Sequence, residues 1–254
     1  QAFNITLQEK VNEATRELKS TNRKLIELDE AKDEFISMAS HQLRTPLTSI
    51  KGYLSMLLDG DMGKLSKDQT SALKEAFGSS QRMVFLISDF LNVSRIKTGK
   101  FVIEKSEVDL ATMVHEELTQ LKELAESRNV SFKYDQPKDF PIVMLDDNKI
   151  RQVMMNMIDN AIYYTPIGGT VTVQLYVDAK DVVFKVIDTG IGVPKAERHK
   201  LFTKFFRAAN ARVARPDGTG LGLFMAQKIV LAQGGLIIFE SEEGKGSTFG
   251  FKLP

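Results

Sequence analysis

The sequence predicts two folds in one chain. The first is an all-α helical hairpin, led by a coiled coil and paired with a second copy into a four-helix bundle; the second is an α/β domain on a mixed sheet. Three observations carry this. An apolar repeat in alternating steps of four and three runs from Leu7 to Ala39 with no glycine or proline to interrupt it. Gly60 and Gly63 then break the helical pattern and fold it back. From Phe101 the apolar period shortens to that of strands alternating with helices.

With 254 residues, 43% of them hydrophobic and 26% charged, the chain can fill two ordinary cores. A net charge of +1 supplies no field to attract nucleic acid, so no nucleic-acid partner is expected. The absence of cysteine excludes disulfides, thiolate metal sites and cysteine nucleophiles. No apolar run reaches the roughly eighteen residues that a membrane-spanning helix needs. The chain opens on Gln1 rather than Met, and is read as a cytoplasmic fragment attached to a membrane only through an upstream segment outside this sequence.

The elements follow in order. Leu7, Val11, Ala14, Leu18, Thr21, Leu25, Leu28, Lys32, Phe35 and Ala39 form the coiled-coil seam, weakened at Thr21 and Lys32. Its stripe continues through Leu43, Leu47, Ile50, Leu54 and Leu57, so one helix is predicted to about Leu58. Ser66 and Gln69 have the spacing of a capping box and should open a second helix, with Leu73, Ala76, Met83, Ile87 and Phe90 on its buried face and Gly99 at its end. Two helices cannot bury these faces alone, so a homodimer is expected.

Beyond Phe101, strands are predicted at "FVIEK", "VSFKYD", "PIVML", "GGTVTVQLYVD", "DVVFKVID", "GLIIFESEE" and "GSTFGFKL", with helices over 109–126, 147–164 and 221–232. The strands flanking Ala179 and Lys180 read as a hairpin, which makes the sheet mixed.

Four local patterns carry chemistry. At about 100° per residue His41 lies about 200° from Ala39 and Leu43, so its ring should face solvent, and Pro46 withholds the amide that would bond the Gln42 carbonyl. An exposed neutral imidazole is what a nucleophile attacking a bulky electrophile requires, although most surface histidines do nothing of the kind. Asn156 and Asn160 sit at i and i+4 on one helix, two amides able to face a metal or phosphate. Asp188 ends a strand before Gly190 and Gly192, a carboxylate beside uncrowded backbone. Gly218, Gly220 and Gly222 precede a helix whose free N–H groups favour an anion. Each of the last three is weak alone. His115 and His199 have no such context and read as surface residues.

The string "SHQLRTPLTSIKGYL" closely resembles the phosphoacceptor box of two-component sensor histidine kinases. "NKIRQVMMNMIDNAIYYTP", "VIDTGIGVP", "LFTKFFRA" and "DGTGLGL" are similar, in the same order, to the N, G1, F and G2 boxes of the histidine-kinase ATPase domain. The resemblance covers nearly everything from Lys32 to Pro254. It implies a Bergerat-type α/β sandwich binding ATP and Mg²⁺, and a division into a coiled-coil signalling linker (1–34), a dimerisation and histidine-phosphotransfer hairpin (35–98) and an ATP-binding domain (101–254). The implied function is an ATP-dependent histidine autokinase: His41 receives the phosphoryl group and passes it to the aspartate of a response-regulator receiver domain.

Carried over residue by residue, Gln42 and Thr45 assist catalysis beside His41, Thr45 in dephosphorylating the regulator. Asn160 holds Mg²⁺, with Asn156 beside it on metal or phosphate. Tyr164 packs on adenine and Asp188 binds its amino group. Gly190, Gly192, Gly218, Gly220 and Gly222 admit the nucleotide, Arg207 contacts the γ-phosphate, and 208–217 is a flexible lid carrying Arg212 and Arg215. The link "TGKF" is expected to be a hinge. Two residues depart from the family: Gln42 stands where an acid is common, and Tyr163 where many relatives have Lys or Arg. These departures leave open a second function, a kinase-dead scaffold that binds nucleotide and a regulator.

Overall fold

The computed structural model describes residues 2–97, 101–216 and 218–254; within the two long helices the side chains of residues 2–11, 14, 25, 30, 32, 33, 36, 37, 40, 41, 82, 85, 86, 89, 90, 94 and 97 lie outside the description. The chain divides into two compact units, Gln1–Lys100 and Phe101–Pro254. The "TGK" of the expected hinge, with Gly99, falls outside the described residues.

The first unit is two helices, α1 (Ala2–Asp59) and α2 (Lys67–Lys97). α1 continues through Pro46. One turn later the hydroxyls of Thr48 and Ser49 donate to the carbonyls of Arg44 and Thr45, at 2.9 and 3.3 Å. The capping box at the head of α2 is formed: the Ser66 amide donates to Gln69 Oε1 at 2.9 Å, and the Gln69 amide to Ser66 Oγ at 3.2 Å.

The buried face of α2 differs from the expected one. Leu73, Phe77, Ser80, Val84, Ile87 and Leu91 are buried or half-buried, whereas Ala76 is exposed and Met83 is 49% exposed; the side chain of Phe90 is not described. On α1, Leu47 is buried and Leu54 and Leu57 half-buried, but Leu43 and Ile50 are 57% and 51% exposed. The physical reason is that the apolar positions make two stripes. Within one chain each helix has one partner, so one stripe packs and the other remains uncovered. The upper part of α1 is likewise uncovered, with Leu18, Leu28 and Phe35 exposed.

The second unit contains β1 (Ser106–Val108), α3 (Leu110–Ser127), β2 (Ser131–Tyr134), β3 (Val143–Leu145), α4 (Asp147–Tyr164), β4 (Thr170–Asp178), β5 (Asp181–Asp188), α5 (Ala209–Ala214), α6 (Gly222–Ala232), β6 (Leu236–Glu242) and β7 (Gly246–Leu253). The main sheet has the order β2-β4-β5-β7-β6; β2 and β4 are parallel and the other pairs antiparallel, so the sheet is mixed. The hairpin at Ala179 and Lys180 forms as expected, with Ala179 at φ 58°.

The strand expected at "FVIEK" is not there. Pairing begins at Ser106, where β1 meets the three-residue β3, and the preceding segment is held by a side chain instead, the Glu104 amide donating to Asp146.

α3, α4 and α6 contact the sheet. Register puts Val173 opposite Val186, Leu175 opposite Phe184, and Phe184 opposite Phe251, with the last two rings stacked at 5.1 Å. Asp188 has the same strand parity as Val186 and Phe184, so it closes this apolar face at the end of β5 as a carboxylate that is 6% exposed.

Candidate functional site

α4 carries most of the site because both of its ends are fixed. Asp146 caps it, accepting from the Lys149 amide at 3.1 Å and the Glu104 amide at 2.9 Å, while its own amide donates to the buried Gln233 at 2.8 Å. Thr165 ends it, returning its hydroxyl to the Ala161 carbonyl at 2.6 Å ahead of Pro166. One side of the helix is buried through Ile150, Met154, Met157, Ile158 and Ile162. The other side, half-buried, holds Asp159, Tyr163, Asn156, Asn160 and Tyr164 in that order around one arc, since successive residues turn by about 100°. Asn160 Nδ2 donates to Asn156 Oδ1 at 2.9 Å, so the two amides orient each other and Asn160 Oδ1 carries none of that bond.

Asp188 is linked to the end of α4 through Gly190, whose backbone lies beside both the Asp188 carboxylate and the Tyr164 carbonyl. Its Oδ1 accepts two backbone bonds, from Gly190 at 2.8 Å and Ser247 at 3.1 Å. Burial pushes its carboxyl up to about 6 even though both bonds pull the other way. Gly190 must be small because the last carbonyl of α4 passes here: a Cβ would stand 2.6 Å from the Tyr164 oxygen. Ile191 bonds that same oxygen at 3.1 Å, and Gly192, at φ 62°, lets the chain turn beneath Glu242.

The second glycine run meets α4 directly. A Cβ on Gly222 would lie 2.1 Å from Asn156 Nδ2, so only glycine lets the start of α6 approach the amide pair. The helix begins one residue later than expected, with Leu221 as its N-cap. Gly220, at φ 70°, passes against the backbone of Phe205 and Phe206, and Gly218 against the guanidinium of Arg207. The aromatic segment is anchored on the sheet, Phe202 meeting Phe239 edge-on at 5.8 Å.

Arg207 donates to the carbonyls of Ala211 (3.0 Å), Arg215, Pro216 (3.0 Å) and Gly218 (2.9 Å). In this state it clasps the expected lid from within. That lid is partly helical, as α5, and Asn210 ties it to the Gly192 carbonyl at 2.9 Å; Asp217 lies outside the described residues.

In the first unit, His41 lies on α1 with its ring outside the description, so its expected exposure is not addressed; Gln42 and Thr45 are exposed. His115 and His199 are exposed, as expected of surface residues.

The second unit therefore brings together Asn156, Asn160, Tyr164, Asp188, Gly190, Gly192, Gly218, Gly220 and Gly222. Sequence reasoning passed over Ser247, whose amide holds Asp188, and Gly246, where a Cβ would sit 1.9 Å from the Asp188 carbonyl. The glycines of "GKGST" ahead of a strand were the available signal.

The donor set fits a purine nucleotide with a hard cation. A buried carboxylate keeps one oxygen outside its backbone bonds, and a glycine-lined approach at Gly190 and Gly222 would be filled by any Cβ. Among the described residues no cluster of three or more His, Cys, Asp or Glu could hold a metal, so Mg²⁺ here would rest on amide oxygen and phosphate.

Comparison with known proteins agrees with this chemistry. Residues 31–99 match the family described as His Kinase A (phospho-acceptor) domain, and residues 145–254 the family of histidine kinase-, DNA gyrase B-, and HSP90-like ATPases. The circadian input-output histidine kinase of Synechococcus elongatus is 33% identical over 98% of this chain and 33% of its own length. A sensor histidine kinase of Bacillus subtilis is 34% identical over 89% of this chain and 37% of its own. An adaptive-response sensory kinase of Synechococcus sp. (strain JA-3-3Ab) is 35% identical over 96% of this chain and 65% of its own. The chain thus spans between a third and about two thirds of these relatives. The crystal structure of full-length ShkA in complex with AMPPNP superposes with a TM-score of 0.64 at 26% identity, over 87% of this chain and 45% of that one. With a phospho-acceptor helix pair followed by an ATPase-type site, the chain belongs to the two-component sensor histidine kinases, of which it forms the core.

Proposed function

We propose that the chain is an ATP-dependent histidine autokinase that acts as a homodimer. A nitrogen of the His41 ring attacks the γ-phosphorus of ATP; the N–P bond forms as the bond to the β,γ-bridging oxygen breaks, ADP leaves, and the ring gives up its proton. The phosphoryl group then passes to an aspartate on a response-regulator receiver domain, which docks around His41. What supports this is the presence, in one chain, of the His41 helix and of a second unit in which Gly222 abuts the Asn156–Asn160 pair and the buried Asp188 is held beside Gly190 at the end of α4.

Asp188 accepts the exocyclic amine of adenine, and Tyr164 packs on the ring. Asn160 Oδ1 would hold Mg²⁺, with Asn156 fixing its amide, and the ion would supply charge neutralisation for the phosphate chain. Arg207 leaves its carbonyl clasp for the γ-phosphate. Gln42 can accept a bond from the imidazole Nδ1–H and so fix the tautomer, but cannot take a proton as an acid's conjugate base would. A charge-assisted bond is about twice as strong as a neutral one, so Gln42→Glu is expected to speed autophosphorylation. Thr45→Ala is expected to spare autophosphorylation and lose regulator dephosphorylation.

The uncovered stripe through Leu43, Ile50 and Met83 supports dimerisation. Residues 1–34 would then act as the coiled-coil linker, 35–98 as the phosphotransfer hairpin and 101–254 as the ATP-binding domain. Among the described residues no helix is long and apolar enough to cross a membrane. The test is incubation with ATP labelled at the γ- or the α-phosphate. An autokinase gains acid-labile, alkali-stable label from the first only; the kinase-dead scaffold, permitted by Gln42 and Tyr163, gains it from neither.

A further inference from the structure

The stretch 101–105 opens the second unit without the strand expected of it, and α4 holds it by side chains instead. The Glu104 amide donates to Asp146 Oδ2 at 2.9 Å, and the ring of Phe101, the last residue of the expected hinge, lies 5.5 Å from the Lys149 ammonium. Phe101 is half-buried and Glu104 exposed. A stretch anchored in this way, with no sheet ladder, opens at low cost.

Asp146 does more than cap α4. Its carboxylate takes the Glu104 amide together with the amide and ammonium of Lys149. Its own amide donates at 2.8 Å to Oε1 of Gln233, the C-cap of α6. Both residues are buried, and Gln233 Nε2 finds no partner among the described residues. An orphaned buried donor is destabilising, so the gain that offsets it is the acceptor that Gln233 offers Asp146.

The other end of α6 is Gly222, set against Asn156 so closely that no Cβ would fit. At 1.5 Å per residue α4 rises about 15 Å from Asp146 to Asn156, and α6 about 17 Å from Gly222 to Gln233. The two helices run antiparallel, pinned to each other at both ends over matching lengths. They pack together, and Ile150, Met154, Met225 and Ile229 on them are fully buried. A close-packed pair of this kind does not change its spacing at one end alone. One end receives the 101–104 stretch, and the other belongs to the nucleotide site proposed above, on which this step rests.

We propose that Asp146 and Gln233 couple the anchoring of residues 101–104 to nucleotide occupancy. With the stretch anchored, α4 and α6 keep the spacing at which Asn156 and Gly222 meet; a bound nucleotide, by fixing that end, keeps the anchor closed. The coupling is reciprocal, so a chain that releases the stretch also releases nucleotide more readily. Asp146 and Gln233 are positioning residues that act through the two helices.

The test is hydrogen exchange at the Glu104 amide, resolved by NMR in the whole chain, with and without saturating Mg·AMPPNP. Nucleotide is expected to slow this exchange at least about fivefold. Gln233→Met, which removes the acceptor and the orphaned donor together, is expected to abolish the slowing. In calorimetric titration Phe101→Ala is expected to weaken AMPPNP about fivefold in the parent chain but less than about twofold in a Gln233→Met background, because both changes break one route. Exchange slowed equally in Gln233→Met, or losses that simply add in the double variant, overturn the proposal. If Gln233→Met does not fold, the parent's exchange and the Phe101→Ala affinity decide, and no change in either overturns it. A parent chain that binds no AMPPNP overturns the nucleotide site and this inference with it, whereas tight binding with unchanged Glu104 exchange overturns this inference alone.

Discussion

Asp188 is a carboxyl group in a place that disfavours charge. It is 6% exposed and held by two amides, and burial pushes its carboxyl up to about 6. A carboxyl raised above its unfolded value near 3.9 stabilises the fold fully below that value, and the contribution is lost as pH rises through about 6. The β5 and β7 amides should therefore exchange more readily at pH 7 than at pH 4.5, by roughly 2 kcal/mol of opening free energy; Asp188→Asn should erase the difference. Nucleotide binding should follow the opposite course, weakening as pH falls through about 6, because the carboxylate is the better acceptor. A pH-independent Kd in titration calorimetry would contradict that role. Gly222→Ala separates site from scaffold: alanine favours the helix by about 1 kcal/mol, but its Cβ displaces Asn156. Thermal stability should hold while Mg·ATP binding falls at least about tenfold. Asn156, Asn160, Asp188 and the glycines were legible in the sequence because their spacing and order are local. Ser247 and the contacts of Arg215 were not, because 59 residues separate Ser247 from Asp188 and 56 separate Arg215 from Asp159; only the folded sheet and lid bring them together.

At the scale of elements, the helix ends were legible and the helix faces were not. The Ser66–Gln69 box is closed by bonds three residues apart, so a local pattern suffices to place it. Ser66→Ala is expected to cost about 1 kcal/mol of hairpin stability. Facing is different, since α2 has two apolar stripes and composition does not say which one meets α1. The stripe that packs contains Ser80, which is 2% exposed and whose hydroxyl finds no partner among the described residues. Ser80→Ala should accordingly raise the urea midpoint of the helical signal, by about 1 kcal/mol in free energy. A lower midpoint would mean that a second chain supplies an acceptor for that hydroxyl. The strand misplaced onto "FVIEK" fails for a related reason: β propensity was read correctly, but its partner β3 offers only three residues.

Across the whole molecule, the chain holds two units, the first carrying His41 on α1 and the second the site that fits a nucleotide. The uncovered stripe on the first unit was expected from the seam, and it makes a specific demand on assembly. Leu43→Asp or Ile50→Asp should leave the helices formed but shift sedimentation from dimer to monomer, whereas Leu47→Asp, at a position buried within one hairpin, should unfold the hairpin itself. A dimer unchanged by all three would place the contact elsewhere. The central claim is that His41 is the atom-level acceptor of the γ-phosphoryl group. The most direct measurement is the time course of acid-labile label from γ-labelled ATP in the parent chain and in His41→Gln, with nucleotide affinity measured in parallel. The expected result is that His41→Gln binds ATP as tightly as the parent and acquires no label; label incorporated at the parental rate would contradict the assignment.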